Sequence, residues 1–286
     1  MANYPELKGK VALVTGAGRR QGLGESIARR LAHEGCTVII TDIGHAKGAE
    51  MPTHAVGTQS EMDAVAAEIN AAAMNRGHGG ACHAMTLDVL EETQVKAVIA
   101  AMVTRHGGLD ILINNAGIGY LMKPIAELSM SEWDAVLGVN LRGAFMCTKY
   151  AAEAMVQQGR GGRIVNIASQ AAKSGFPFAA AYCASKHGLI GLTRVTAIEY
   201  GKHQITANAV CPNHVTTGLG AWQNEYFSNA LGMSMDQYMT AMKGRIPLGR
   251  AGVPEDTAAA SAWLCSDEAK YVTGEAMNVS GGEEVH

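Results

Sequence analysis

A tyrosine and a lysine four positions apart, Tyr182 and Lys186, are the residues of this sequence best suited to move a proton. They lie in AYCASKHGLIGL, whose spacing predicts a helix, so both side chains emerge on one face. A free tyrosine has a pKa of about 10, and an ammonium group held nearby favours the phenolate. The pair therefore predicts a tyrosine whose pKa is lowered toward neutral pH and which acts as a general acid or base.

Two further polar residues stand where such chemistry would use them. Ser169 follows the apolar run RIVNI, thirteen residues before Tyr182, and its hydroxyl can donate to an oxygen on which charge develops. Asn140 falls well inside a long predicted helix that begins with a capping box at Ser129 and Glu132, although an amide is intrinsically unfavourable there. Each of these residues alone has an ordinary structural explanation.

Seven short β-prone runs recur along the chain, with segments of helical spacing between them. This alternation predicts an α/β fold of the Rossmann type, a doubly wound parallel sheet of about seven strands with helices on both faces. At 286 residues and 48% hydrophobic, the chain suits a single domain over residues 1–286. The predicted strands start at Val11, Thr37, Ala84, Ile111, Arg163, Ile205 and Ala276.

Composition argues against several classes of partner. The net charge is -3, and the lysines and arginines are scattered, so we expect no nucleic-acid binding. The start, MANYPELKGK, lacks the layout of a secretory signal, and no apolar run approaches the ~18 residues of a membrane span. The six cysteines show no CxxC spacing, so we expect reduced thiols in the core, with no disulfide and no bound metal. We expect a cytoplasmic protein that acts on a small molecule.

A glycine-rich turn, TGAGRRQGLG, follows the first predicted strand and runs into an amphipathic helix. In that position backbone N–H groups can face a pyrophosphate. Asp42 ends the second strand, where a carboxylate can accept hydrogen bonds from ribose hydroxyls and repel a 2′-phosphate. This pattern favours NAD over NADP, although Arg19 or Arg20 in the turn could pair with such a phosphate.

The sequence resembles the short-chain dehydrogenase/reductase family over nearly its whole length, from TGAGRRQGLG through NNAG and YCASK to NVSGG. The resemblance implies hydride transfer between NAD(H) and the CH–OH or C=O group of a small alcohol or carbonyl substrate. Tyr182 would be the acid/base, and Lys186 would lower its pKa and hold the nicotinamide ribose. Ser169 would stabilise the substrate oxygen, and Asn140 would support a proton relay. The resemblance also implies a homotetramer with the Tyr182 helix in an interface.

Cofactor contacts follow from the same resemblance, with two departures from the family pattern. Five residues separate Gly16 from Gly22, where the family usually has three, and Pro212 is followed by asparagine instead of glycine. Val215, through its backbone, and Thr217 would hold the nicotinamide carboxamide. The full set is Gly16, Arg19, Gln21, Gly22, Leu23, Gly24, Asp42, Asp88, Val89, Asn115, Ala116, Gly117, Tyr182, Lys186, Pro212, Val215 and Thr217.

Two stretches interrupt the compact alternation. For residues 44–80 the composition predicts an extended surface loop followed by a helix. Residues 218–250 are rich in aromatic residues and methionine and contain two predicted short helices, so we expect a substrate lid there; an ordinary packed insertion is the alternative. The lid would contribute Trp222, Tyr226, Phe227, Met233 and Met235 to the substrate side.

Substrate identity is the least determined property. The expected substrate contacts are Ser169, Tyr182, His214 and Trp222. Polar side chains beside the aromatics favour a polyol or sugar derivative, namely Gln170, Asn213, His214, Gln223 and Asn224. The alternatives are an NADPH-dependent carbonyl or 3-oxoacyl reductase and, outside the enzymes, a non-catalytic NAD-binding regulator.

Overall fold

A seven-stranded sheet, parallel throughout, forms the centre of the molecule. The structure is a computed structural model that describes residues 4–47, 56–74, 79–119 and 121–286. The spatial order of its strands is β3-β2-β1-β4-β5-β6-β7, which confirms the predicted doubly wound arrangement. The strands are β1 Val11–Thr15, β2 Thr37–Asp42, β3 Ala81–Thr86, β4 Ile111–Asn114, β5 Gly162–Ile167, β6 Ile205–Pro212 and β7 Ala276–Val279.

Helices cover both faces of the sheet. Alternate residues of β1 enter different core layers: Ala12 and Val14 pack in the layer that contains α1, whereas Val11 and Leu13 pack on the opposite face. Burial on both faces explains the uninterrupted apolar runs of the central strands. In the described residues the α-helices are α1 Leu23–His33, α2 Gln59–Met74, α3 Glu92–His106, α4 Met130–Leu137, α5 Ala144–Gln158, α6 Ala180–Tyr200, α7 Gly218–Ala230, α8 Met235–Arg245 and α9 Pro254–Cys265.

The strand predictions are confirmed, with two starts displaced. β3 begins at Ala81, three residues before the predicted start, because pairing with Thr37 of β2 extends this edge strand beyond its own apolar run. β5 begins one residue early, at Gly162. Part of the lengthened loop predicted over 44–80 lies outside the described residues, at 48–55 and 75–78. Over the described ranges, none of the helices combines the length and apolarity that crossing a bilayer requires.

The helix that carries Asn140 differs from the prediction in one respect. The capping box is present, since Ser129 Oγ accepts from the Glu132 N–H at 3.2 Å and the Glu132 carboxylate accepts from the Ser129 N–H at 2.9 Å. Between α4 and α5, however, residues Gly138–Gly143 form a π-helical segment. Asn140 therefore lies mid-helix, as predicted, but in a wider turn of the kind often found at functional sites.

Candidate active site

One cleft of about 940 Å³ opens at the carboxyl ends of the strands. It runs from the glycine-rich turn after β1, across the ends of β1 and β4, to the space beneath α7 and α8. Strand order reverses between β1 and β4, and ligands of open parallel sheets bind at such a switch point.

The structure brings Ser169, Tyr182 and Lys186 together in the wall of this cleft. Tyr182 and Lys186 lie near the start of α6, and the Lys186 Nζ is 5.7 Å from the centre of the tyrosine ring. Lys186 is only 5% exposed and donates a hydrogen bond to the main-chain oxygen of Ile167 at 2.8 Å. Ser169 follows β5, and its hydroxyl interacts with the phenol of Tyr182 while accepting from the Ala171 N–H at 3.1 Å.

The pKa of Tyr182 differs from the sequence-based expectation. Burial raises the pKa of Tyr182 above its ordinary value, and the hydrogen-bonding interaction with Ser169 opposes that shift only in part. Burial also lowers the pKa of Lys186 to about 8. The prediction that the amine already lowers the tyrosine pKa is therefore wrong for the protein without ligand, because removal from water disfavours both charged forms.

Asn140 lies behind the cleft wall, with 1% of its surface exposed. Its amide accepts from the Ile118 N–H at 2.8 Å and donates to the Ile118 carbonyl at 3.0 Å and to Ser185 Oγ at 3.1 Å. A Cβ at Gly117 would lie 3.3 Å from Asn140 Oδ1 and 3.6 Å from Lys186 Nζ. Asn140 thus holds the segment after β4 in place beside the lysine.

The glycine-rich turn forms a close-fitting cradle. Gly16 has φ +63°, and a Cβ there would lie 2.6 Å from the Cα of Ala116. Gly22 is the N-cap of α1 and has no side chain that could cap the helix. Because Gly22 lines the cleft, the first N–H groups of α1 are available to a ligand at this end. A pyrophosphate is the group that such a cradle and helix N-terminus accommodate.

The two additional residues of the turn project away from the cleft. The Arg20 N–H donates to Glu61 of α2 at 3.1 Å, and its guanidinium forms an ion pair with Glu68 at 2.7 Å. Gln21 adopts a left-handed conformation with φ 57°, and its N–H donates to Glu25 at 2.7 Å. The lengthened turn is therefore anchored to α2, which leaves Arg19 as the arginine of this turn that lines the cleft.

Asp42 stands at the carboxyl end of β2, as predicted, and lines the cleft. Its carboxylate accepts from the Gly18 N–H at 3.2 Å and from the Ile43 N–H at 2.9 Å. A Cβ at Gly18 would lie 2.7 Å from the Asp42 Cβ, so a glycine that the sequence reasoning missed makes this approach possible. Burial raises the pKa of Asp42, while its hydrogen bonds to the backbone act in the opposite direction.

The segments after β3 and β4 supply the remaining predicted contacts. Asn115 donates from Nδ2 to the carbonyls of Thr15 and Gly16, both at 2.9 Å, and so ties the end of β4 to the glycine turn. Asp88 forms a 2.5 Å ion pair with Lys47, a cleft residue that sequence reasoning did not identify. No local pattern marks Lys47, because it follows β2 in an irregular loop.

The segment after β6 carries the contacts predicted for the nicotinamide end. Thr217 caps α7, accepting from the Gly220 N–H at 3.0 Å. His214 lines the cleft, and burial lowers the pKa of its imidazole. Asn213 donates to Glu283, whose side chain is only 6% exposed and forms an ion pair with Arg245 at 2.7 Å. Glu283 directly follows the closing NVSGG motif. Nothing in that motif indicated a contact with the cleft, so the place of Glu283 was not foreseen.

Helices α7 and α8 confirm the two predicted short helices, and each turns one face toward the cleft. On both helices the residues that line the cleft recur at helical spacing. After Gly220, those of α7 are Gln223, Asn224 and Phe227, and those of α8 are Tyr238, Ala241, Met242 and Arg245. Trp222 belongs to the adjacent face of α7 and stacks on Tyr226 with ring centroids 5.6 Å apart. Trp222 stands one position out of phase with the cleft face and does not line the cleft, so its predicted substrate contact stays a prediction.

Most of the predicted site residues thus meet in one cavity. Gly24 packs beneath the turn, where a Cβ would lie 2.6 Å from Asn115 Nδ2, so its role is structural. Among the residues that the structure describes, Gln21, Gly24, Asn140, Trp222, Tyr226 and Met235 do not line the cleft. Those that do are Gly16, Arg19, Gly22, Leu23, Asp42, Asp88, Val89, Asn115, Ala116, Gly117, Ser169, Tyr182, Lys186, Pro212, His214, Val215, Thr217, Phe227 and Met233.

Comparison with known proteins agrees with this fold. A family model described as Enoyl-(Acyl carrier protein) reductase matches residues 16–284. The chain belongs to the short-chain dehydrogenase/reductase family, whose members oxidise and reduce hydroxyl and carbonyl groups with nicotinamide nucleotides.

Similar relatives carry different names within that family. D-threitol dehydrogenase of Mycolicibacterium smegmatis is 37% identical, covering 96% of this chain and 93% of the relative. The 3-oxoacyl-[acyl-carrier-protein] reductase of Staphylococcus aureus is also 37% identical, covering 96% and 97% of the two chains. The crystal structure of levodione reductase superposes with a TM-score of 0.82 at 30% identity, covering 96% of this chain and 98% of that one.

Proposed function

We propose that this protein is an NAD(H)-dependent dehydrogenase that interconverts a secondary alcohol and a ketone on a small hydroxylated substrate, a polyol or sugar derivative. The observation that carries the proposal is the grouping of Ser169, Tyr182 and Lys186 in one wall of the cleft whose far end is the glycine cradle. A nicotinamide cofactor, when bound, supplies the hydride acceptor or donor, so the protein itself must handle the proton.

Tyr182 takes the proton from the alcohol during oxidation and returns it to the ketone oxygen during reduction. Ser169 donates to the same substrate oxygen and stabilises the charge that develops there. Lys186 supplies positive charge behind the phenol, and a cationic nicotinamide adds more. Both favour the phenolate that burial alone disfavours. Asn140 acts indirectly, by fixing the segment that borders Lys186 and supporting the passage of the proton toward solvent.

The preference for NAD rests on Asp42. Its carboxylate lines the cleft beside Gly18, where it can accept hydrogen bonds from ribose hydroxyls and repel a phosphate. Arg20, one of the two arginines considered for a 2′-phosphate, is engaged by Glu68. Arg19 in the cleft favours the second candidate, an NADPH-dependent carbonyl or 3-oxoacyl reductase, and one similar relative is named as a 3-oxoacyl reductase.

The remaining proposals concern the lid, the assembly and the location. The single cleft-facing side of α7 and of α8 supports a substrate lid over 218–250. Exposed apolar side chains on α5 and α6, namely Phe145, Val195 and Ile198, support the homotetramer that the family resemblance implies. The cytoplasmic location stays a prediction.

The test is steady-state turnover of secondary alcohols and ketones with NAD(H) and NADP(H), followed at the nicotinamide absorbance, for wild type and Tyr182→Phe. We expect the variant to lose roughly 10²- to 10⁴-fold in kcat while binding NADH normally by fluorescence titration. Cofactor binding without any turnover in the wild type would favour the regulator instead. A wild-type preference for NAD that Asp42→Ala weakens would support the role of that carboxylate. A higher kcat/KM with NADP than with NAD in the wild type would favour the NADPH-dependent reductase.

A further inference from the structure

Two polar atoms at the lid end of the cleft have no role inside the protein. Asn224 is 7% exposed, and its Oδ1 is buried without a hydrogen-bond partner among the described residues. His214 Nε2 is likewise buried and without a partner in that part of the chain. Both residues line the cleft. Leaving such atoms unsatisfied destabilises a folded protein, so a ligand group that satisfies them is the simplest reason for their presence.

The neighbouring polar residues are already engaged, which separates these two from the rest. Gln223 donates to the Gly119 carbonyl at 3.2 Å, and Asn213 donates to Glu283. Glu283 Oε1 also lacks a hydrogen-bond donor within the described ranges, but its charge is compensated by the Arg245 guanidinium at 2.7 Å. The amide of Asn224 has one weak contact, from its Nδ2 to the Met239 sulfur at 3.5 Å.

Both residues are held from α8, one on each of two consecutive positions. The His214 ring lies 6.4 Å from the Tyr238 ring, and Asn224 contacts Met239. His214 is further fixed because its carbonyl accepts from the Gly252 N–H at 2.9 Å. Both side chains thus border α8, so a ligand that binds them would also contact this helix.

The chemistry of these atoms selects a class of ligand group. The Asn224 oxygen only accepts, and a neutral imidazole nitrogen donates or accepts according to its tautomer. A hydroxyl suits either atom, because it can donate or accept a hydrogen bond. A carboxylate would face the amide oxygen and the Glu283 carboxylate, and an apolar chain would leave both atoms unsatisfied.

We propose that Asn224 and His214 form a subsite for hydroxyl groups away from the reacting carbon, so that the cleft selects polyhydroxylated substrates over simple secondary alcohols. The subsite rests on the proposed function, since it deepens the substrate class of the same site. Its residues are specificity determinants, and the proton-transfer group is separate from them.

The experiment compares kcat/KM for four- to six-carbon polyols (threitol, erythritol, xylitol, galactitol and sorbitol) with that for 2-butanol, 2-pentanol and 2-hexanol. Wild type is expected to prefer at least one polyol over the secondary alcohol of equal chain length. Asn224→Leu and His214→Phe keep a branched and a ring-shaped side chain, respectively, and remove the polar atoms. Each should lower the ratio of polyol to monoalcohol kcat/KM by about tenfold. Asn229→Leu, an exposed asparagine on the same helix, is the matched control.

Thermal unfolding separates binding from a structural role. Because Asn224→Leu removes an unsatisfied buried oxygen, the Tm of the ligand-free variant should rise by roughly 2–4 °C. An unchanged polyol ratio in both variants overturns the subsite, as does a wild type that prefers every monoalcohol to its matched polyol. If the wild type turns over no alcohol and no ketone with either cofactor, the proposed function fails, and the subsite fails with it.

Discussion

Lys186→Met should make the protein more stable and inactive at the same time. The side chain is 5% exposed, and burial lowers its pKa from the ordinary 10.5 to about 8. At neutral pH the folded protein therefore holds a buried ammonium group that the unfolded chain exposes to water. Methionine has nearly the same shape and carries no charge, so the substitution removes that cost.

The magnitude follows from the pKa difference. The fall from 10.5 to about 8 corresponds to roughly 3 kcal/mol of destabilisation below pH 8. The lost hydrogen bond to the Ile167 carbonyl costs about 1 kcal/mol. A net stabilisation of about 2 kcal/mol remains, which would raise the Tm by roughly 4–8 °C at pH 7.

The sign of the pH dependence is determined by which state binds the proton. Below pH 8 the lysine is charged in both folded and unfolded protein, and the full cost applies. Between pH 8 and 10.5 the unfolded chain holds the proton more tightly than the folded one, so the wild type gains stability as pH rises. The free energy of unfolding of the variant should therefore exceed that of the wild type at pH 7 but be nearly equal to it by about pH 10.

The assay is thermal unfolding of the ligand-free protein by circular dichroism at pH 7 and pH 10. Lys202→Met, at an exposed lysine, is the control and should change stability by less than about 0.5 kcal/mol at both values. A Lys186→Met protein less stable than wild type at pH 7, or a difference that does not change with pH, would refute the reasoning that burial dominates at this site.

Three further predictions concern the catalytic group and its cradle. Ser169→Ala should lower kcat by roughly 10²-fold with little change in NADH affinity, because the lost donor acts on the reacting oxygen. Equal losses in kcat and in NADH affinity would contradict this role. The kcat/KM for oxidation should rise between pH 6 and 10, since burial keeps Tyr182 protonated at neutral pH; a profile falling over that range would contradict the assignment. Gly16→Ala should destabilise the protein by at least about 2 kcal/mol in denaturant unfolding, because φ is +63° and the added Cβ would meet the Ala116 backbone. Gly191→Ala, in open space on α6, serves as its control, and an equal effect of the two substitutions would show that the cradle is not close-packed.

Much of the architecture was predictable because it is encoded over short distances along the chain. The apolar run VALV specifies a strand buried on both faces, and the capping box at Ser129 specifies a helix start, whatever lies elsewhere in the molecule. The four-residue spacing of Tyr182 and Lys186 places them on one helical face for the same reason. Strand–helix alternation then leaves a doubly wound sheet as the arrangement that buries every apolar face.

What depended on packing between distant segments could not be predicted in this way. Trp222 and Asn224 are two residues apart, yet which of them faces the cleft depends on how α7 sits against the sheet and α8. Glu283 reaches α8 because the C-terminal segment returns to pair with Arg245. The pKa of Tyr182 in the ligand-free protein is raised and not lowered, because burial, which sums contributions from the whole fold, outweighs the effect of one neighbouring charge.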